Sequence, residues 1–353
     1  MISFDAVNKR FDDGTTAVHE LDLEIPEGEI TVLVGSSGCG KTTTLRMINR
    51  MLDATSGVIT VDGRDVREIP GSTLRRDIGY VIQQSGLFPH RTVADNIATV
   101  PKLLGWDKKR VRDRVGELMS TVGLAADLGR RYPHQLSGGQ QQRVGVARAL
   151  AADPPILLMD EPFGAVDPVV RALLQDELLR LQAELRKTIV FVTHDVDEAV
   201  KLGDRIAVFR TGGHLVQFST PAQLLTHPAD EFVADFLGAE RGLKLLSLAT
   251  LEDVPVRPTT TARETDEGTG DEWVLVLSDQ DAPLGWRAPS DRALIPAHGL
   301  SGGDSLLAGL DATVSSPTGL AVRVDAEGRY VGVSDQRAIN ESATRFRAEV
   351  LVP

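Results

Sequence analysis

The chain has 353 residues, 42% of them hydrophobic and 25% charged, the balance of a globular protein with room for two or three domains rather than a disordered one. Its formal net charge of −12 excludes a nucleic-acid binder that relies on a broad cationic face, because such binding draws on released counterions; local basic patches remain possible. The single cysteine, Cys39, excludes an intrachain disulfide and fits a reducing compartment, and with no signal-like start and no run of roughly 18 apolar residues a cytosolic location is expected.

Residues 2–7, 17–25 and 29–34 read as strands, with Pro26-Glu27-Gly28 as a turn. The third runs into Gly35-Ser36-Ser37-Gly38-Cys39-Gly40-Lys41-Thr42, and Thr43 to Met51 has helical character. The pattern G-x-x-x-x-G-K-[ST] puts small residues where backbone N–H groups approach phosphate oxygens. Lys41 can reach the β- and γ-phosphates and Thr42 can ligate Mg²⁺, with the helix adding its positive end. Cys39, beside a helix N-terminus and Lys41, is a candidate reactive thiolate. Gly57 to Gly63 reads as a strand ending in an Asp62-Gly63 turn. Ile78 to Ile82 is another buried strand, stopping at Gln83-Gln84.

From Thr92 to about Leu150 the pattern turns helical. Val111, Val115, Leu118, Met119 and Val122 share a face, with Asp107 as N-cap and Gly123 as stop. This predicts a helical insert, about 88–150, within an α/β domain. Strand character returns at Ile156 to Met159 and Thr188 to Thr193, separated by an amphipathic helix through Leu173, Leu174, Leu178, Leu181 and Leu185. Alternating strands and helices imply a mainly parallel sheet covered on both faces.

The texture changes beyond Gly238, which divides the chain into residues 1–240 and a tail of 241–353 that begins with an acidic linker at about 255–272. Within the tail, residues 274–286 align with 321–333. Each copy reads as strand, acidic turn and strand with a penultimate glycine, Gly285 or Gly332. Asp304 is expected to cap a helix carrying Leu306, Leu307, Leu310 and Val314. A small α+β unit built twice is the expectation.

Two further features carry chemistry. The strand Ile156 to Met159 delivers Asp160 and Glu161 at its carboxyl end. In an α/β sheet that places Asp160 beside the phosphate loop to hold Mg²⁺, directly or through water. Glu161 is left free to polarise the water that attacks the γ-phosphate. Ser137-Gly138-Gly139-Gln140, just before a second helical run, forms an anion site that needs no lysine.

With Leu136 these residues spell LSGGQ, and the sequence resembles the ATP-binding cassette family over roughly residues 1–240. The resemblance implies a P-loop NTPase cassette with a mainly parallel core, an antiparallel β subdomain and a helical subdomain. It implies ATP and Mg²⁺ as cofactors and a head-to-tail homodimer, in which ATP on Lys41 of one subunit is closed over by Ser137 and Gly139 of the other. It also makes Gln83 the glutamine that contacts Mg²⁺ or the attacking water, and His194 the switch histidine on the γ-phosphate. Asp167 matches the family's interface aspartate, although Gly164-Ala165-Val166-Asp167 departs from the commoner Ser-Ala-Leu-Asp. Phe11 stands where an aromatic stacks on adenine, with an ordinary core aromatic as the other reading.

Within the family, Tyr80 to His90, Val100 to Trp106 and the doubled tail resemble the ATPase subunit of importers of glycine betaine, choline, carnitine and related osmoprotectants. The tail resembles a CBS pair, though its first half lacks a helix before the hairpin, and a small dimerisation or stability domain is the competing reading. The resemblance implies an integral membrane permease, an extracytoplasmic or permease-fused binding protein, and a place on the inner face of the cell membrane, with no nucleic acid. Quaternary ammonium ions are recognised by aromatic cages; this chain has 3 Trp, 3 Tyr and 10 Phe without an evident cluster, so selection is expected in a partner. The alternatives are the ATPase of another small-solute importer and a non-transport cassette ATPase.

Overall fold

Strands β1 (Ile2–Arg10) and β2 (Thr16–Ile25) form an antiparallel pair. They bury Ile2, Phe4 and Val7 against Val18, Leu21, Leu23 and Ile25, a one-sided period-two burial whose register shifts between Phe4 and Val7 keep Val7 on the inner face. After β3 (Ile30–Gly35), the strands β4 (Ser56–Val61) and β5 (Arg64–Asp65) extend this into a sheet of order β2-β1-β4-β5. Asp62 and Gly63 join them at φ 49° and 75°, the twist-matched hairpin turn that Asp-Gly favours. These coordinates are a computed structural model, and they describe residues 1–82, 86–164, 166–266, 272–289 and 293–351. Two compact units divide the chain, residues 1–224 with 229–236 and residues 225–228 with 237–353.

The centre of the first unit is a six-stranded sheet built from β3, β6 (Ile78–Val81), β7 (Ile156–Asp160), β8 (Thr188–Thr193), β9 (Arg205–Arg210) and β10 (His214–Ser219) in the order β10-β9-β3-β8-β7-β6. All neighbours are parallel except β10 with β9. Strands β3, β7 and β8 are buried at every residue. They therefore read as continuous apolar runs rather than alternating ones. Their registers align the carboxyl ends, because Val34 pairs with Thr193 and Asp160 with Val192. Whatever follows β3, β7 and β8 emerges along one edge, where open α/β sheets bind ligands.

The insert contains helices Val93–Ile97, Thr99–Leu103, Lys108–Thr121 and Gly138–Leu150. Asp107 caps the third by accepting from the Lys109 and Arg110 amides, and Gly123, at φ 64°, ends its run. Helix Pro168–Leu185 differs in detail from the amphipathic expectation: it buries Leu174, Gln175, Leu178 and Leu181, while Leu173 is 57% exposed. Leucines on both sides of the helix conceal which stripe faces inward, and the inward stripe includes a glutamine.

In the second unit β11 (Thr261–Arg263) runs parallel to β12 (Val274–Leu277), followed antiparallel by β13 (Pro283–Arg287) and β14 (Leu294–Pro296). The second hairpin is β15 (Leu320–Val324) with β16 (Tyr330–Asp335), between helices Leu306–Ser315 and Gln336–Leu351. Both hairpins meet in one cluster of Leu275, Leu277, Trp286, Val322 and Val333. The paired glycines of the repeat have a common cause. A Cβ on Gly285 would lie 2.6 Å from the Ile295 carbonyl oxygen, and one on Gly332 would lie 2.8 Å from that of Arg257, so each lets a neighbouring backbone cross its hairpin.

Two expectations are corrected here. Part of the acidic linker is structured: Arg257 and Val333 exchange both backbone hydrogen bonds, and residues 261–263 are a strand. Ser305, not Asp304, caps the following helix, with its hydroxyl accepting from the Ala308 amide. Asp304 instead closes the preceding turn by accepting from the Ser301 amide and hydroxyl, and Val314 is 74% exposed.

Candidate functional site at the ends of three parallel strands

The loop after β3 can only be built from glycine at its tightest points. Gly40, the cap of helix Lys41–Ile48, sits at φ 97°, and a Cβ there would lie 2.1 Å from the Ala17 carbonyl oxygen. At Gly35 an added Cβ would lie 2.3 Å from the Phe209 carbonyl oxygen. Gly38 is open around its Cα at φ 79°. The Lys41 ammonium folds into this loop and donates to the carbonyls of Gly35 (2.7 Å) and Ser36 (3.0 Å). Lys41 is only 5% exposed and, among the described residues, has no carboxylate partner. A buried cation held by neutral dipoles is an incomplete arrangement that an anion completes. Ser37 is exposed on the loop, and Thr43 follows on the first turn of the helix.

The Thr42 hydroxyl donates to Asp160 Oδ1 at 2.7 Å. Asp160 is buried, with Tyr80 OH at 3.4 Å and Arg46 Nη2 at 3.7 Å from its other oxygen. Burial pushes the Tyr80 phenol up, partly offset by Arg46, so it remains a donor. Thr42 Oγ1 and Asp160 Oδ1 are hard oxygen ligands at one point, which suits a small divalent cation whose remaining ligands are phosphate and water. Among the described residues no group of three or more His, Cys, Asp or Glu could hold a metal without such help. Tyr80 and Arg46 escaped the sequence reading. Arg46 stands four residues after Thr42 on the same helical face, a signal that was available.

Glu161 and His194 follow the ends of β7 and β8. The Glu161 amide donates to the Val192 carbonyl (3.0 Å), and its Oε1 lies 3.3 Å from His194 Nδ1. Glu161 adopts φ 45°, a conformation that costs about 1–2 kcal/mol for a residue with a Cβ and that clusters where a side chain must be aimed. His194 is 59% exposed at its side chain and Glu161 22%, so the pair opens outward from the loop's edge. On the next helix, burial pushes the Glu198 carboxyl up, against hydrogen bonds from Thr193 and Gln175.

The other candidates stand on separate elements. Ser137 caps helix Gly138–Leu150 in a reciprocal box: its hydroxyl accepts from the Gln140 amide (3.3 Å), and its own amide donates to the Gln140 side chain (3.0 Å). Gly138 is open and exposed, whereas a Cβ on Gly139 would lie 2.7 Å from Val170 Cγ1. Asp167 caps helix Pro168–Leu185 by accepting from the Val170 amide (3.0 Å). Phe11 is 37% exposed, with the Lys9 ammonium 5.3 Å from its ring centre, which removes the core-aromatic reading. Gln83 lies outside the described residues. Cys39 is fully buried, with its Sγ 3.7 Å from Lys41 Nζ. Its expected reactivity therefore requires the loop to open: iodoacetamide should label it slowly in the folded chain and rapidly in denaturant, and equal rates by mass spectrometry would contradict the packing.

The ABC transporter family profile matches residues 18–164. The chain is 56% identical over 249 residues to an osmoprotectant import ATP-binding protein of Salmonella typhimurium, the match covering 70% of this chain and 65% of that protein. It is 54% identical over 254 residues to a glycine betaine uptake system ATP-binding protein of Escherichia coli, covering 72% of this chain and 82% of that one. Among solved structures it is similar to a dimeric ATP-binding cassette in a post-hydrolysis state bound to ADP and Pi. That match has a TM-score of 0.57 and 32% identity, over 63% of this chain and 99% of the other. The chain thus spans just under two thirds of the length of the Salmonella relative.

Proposed function

The chain belongs to the ABC transporter family, and from that premise we propose that it is the ATP-hydrolysing subunit of an importer for quaternary amines or related osmoprotectants. The observation that carries the proposal is the convergence of Lys41, Thr42, Asp160, Glu161 and His194 at the aligned ends of β3, β7 and β8. The functions of the relatives, osmoprotectant import and glycine betaine uptake, supply the substrate class.

In this reading the backbone amides of the loop cradle the phosphates, and Lys41 exchanges its loop carbonyls for β/γ-phosphate oxygens. Thr42 and Asp160 would hold Mg²⁺, with Gln83 as a further ligand, and the ion would supply charge neutralisation at those oxygens. Glu161 orients the attacking water and receives its proton, and His194, whose Nδ1 lies beside Glu161, donates from its other nitrogen toward the γ-phosphate. Phe11 stacks on the adenine. Ser137, Gly138, Gly139, Gln140 and Asp167 of a second copy complete the site, which makes the working unit a homodimer. None of the described helices is long and apolar enough to cross a membrane. The family reading assigns passage of the solute to a separate permease, with this subunit on its inner face and a binding protein outside. The tail is a CBS-like regulatory domain.

Reconstitution with the permease and binding protein tests this. ATP-dependent uptake of radiolabelled glycine betaine or choline, absent with an amino acid, is the expected result. Uptake of the amino acid alone would move the chain to another solute class, and ATP hydrolysis without uptake of any solute would remove it from transport.

A further inference from the structure

Helix Pro168–Leu185 lies along helix Val196–Leu202, and three side-chain links join them: Arg171 to Asp195 (3.8 Å), Gln175 to Glu198 (3.0 Å) and Asp176 to Lys201 (2.7 Å). Arg171 differs from the other two because its guanidinium also donates to the Val166 carbonyl at 3.3 Å. Val166 immediately precedes Asp167, and Asp195 immediately follows His194. One guanidinium thus holds both the turn that carries the interface aspartate and the turn that carries the histidine on Glu161. The Asp195 end is stiff: its carboxylate accepts from the Asp197 and Glu198 amides, and its own amide donates to the Thr193 hydroxyl. The other end is a single bond to a backbone oxygen, and Arg171 Nε is buried with no acceptor among the described residues. A guanidinium that leaves a buried Nε–H without an acceptor can shift between acceptors, whereas one with every donor satisfied resists movement.

We propose that Arg171 is a positioning residue that transmits the placement of the Asp167 turn to the His194 turn and so tunes the alignment of the Glu161–His194 pair. The inference rests on the ATPase reading above. It adds to that reading a route within one chain from an interface residue to the hydrolytic pair. Gln175 and Asp176 brace the same two helices but reach neither turn, which separates their role from that of Arg171.

The test uses the full chain and reads ATP affinity, kcat and KM together. Arg171→Ala is expected to lower kcat about tenfold while ATP KM stays within about twofold, since the phosphate loop is untouched. Arg171→Lys keeps a charge for Asp195 but loses the planar fork, so it should fall nearly as far; it is the variant to read if the alanine form does not fold. Lys201→Ala, which breaks only the outer link, should retain parental kcat. Combined with His194→Ala, Arg171→Ala should add no further loss, because both act through one group. Multiplicative losses in the double variant, parental kcat in both Arg171 variants, or an equal drop from Lys201→Ala would each overturn the role while leaving the ATPase reading intact. A parent chain that hydrolyses no ATP would overturn the ATPase reading and this proposal with it.

Discussion

Glu161→Gln is expected to bind ATP with parental affinity and to hydrolyse it at least about a hundredfold more slowly, the low end of what a positioned general base contributes. The substitution is nearly isosteric, and the backbone that aims it is held independently by the Glu161 amide on the Val192 carbonyl. The side-chain oxygen can still accept from His194 across the 3.3 Å contact. What disappears is the negative charge and the capacity to take a proton from water. Nothing in the phosphate loop changes, because Lys41 and Thr42 make their contacts to Gly35, Ser36 and Asp160. Binding and turnover should therefore separate, and with ATP retained the dimer should accumulate. Single-turnover hydrolysis beside sedimentation of the chain with ATP measures both. Turnover within about threefold of the parent would remove Glu161 from the proton-accepting role.

The readable part of the molecule was the part whose chemistry forces a local pattern. A loop that must bring backbone within reach of phosphate requires glycine at Gly35 and Gly40, where any Cβ strikes a carbonyl, so the motif is visible without a fold. Buried parallel strands must be apolar at every residue, which exposed β3, β7 and β8, and strand ends next to one another in the sheet bring Asp160, Glu161 and His194 to the loop. What stayed hidden depends on side chains meeting across elements. Tyr80 and Arg46 reach Asp160 from β6 and from the loop helix, and Arg171 joins two turns from a third helix. Only Arg46, one helical turn after Thr42, leaves a periodic trace; the contacts of Tyr80 and Arg171 leave none. Leu173 misled because helix Pro168–Leu185 carries leucine on both faces while its inward stripe includes Gln175. In the tail, composition reads as a linker or an excursion where Arg257 pairs with Val333 and residues 261–263 form a strand. Pro, Thr and acidic residues describe an edge as well as they describe a connector.

Lys41→Ala should cost ATP affinity about a hundred- to a thousandfold. Each hydrogen bond to a charged group contributes about 1.5–3 kcal/mol, and the ammonium is placed to make two, at the β- and γ-phosphates. Two such bonds are worth about 3–6 kcal/mol, and the two loop-carbonyl bonds given up in exchange bring the net loss to the lower end, about 2.7–4 kcal/mol or two to three powers of ten. The effect on the nucleotide-free fold is opposed in sign and smaller. Removing Lys41 strands the Gly35 and Ser36 carbonyls, which now accept at 2.7 and 3.0 Å, but it also removes a cation only 5% exposed that has no carboxylate counter-charge among the described residues. These partly cancel, so the variant should unfold within a few degrees of the parent while losing ATP. Arginine should not rescue it. The space the ammonium occupies is closed by two carbonyls and the buried Cys39 sulfur 3.7 Å away, a fit for a compact point charge rather than a planar fork. Titration calorimetry with a non-hydrolysable ATP analogue, alongside thermal unfolding without nucleotide, separates the two quantities. Unchanged affinity in a folded Lys41→Ala chain would mean that the ammonium stays with its loop carbonyls when the nucleotide binds, and that the loop's backbone amides hold the phosphates alone.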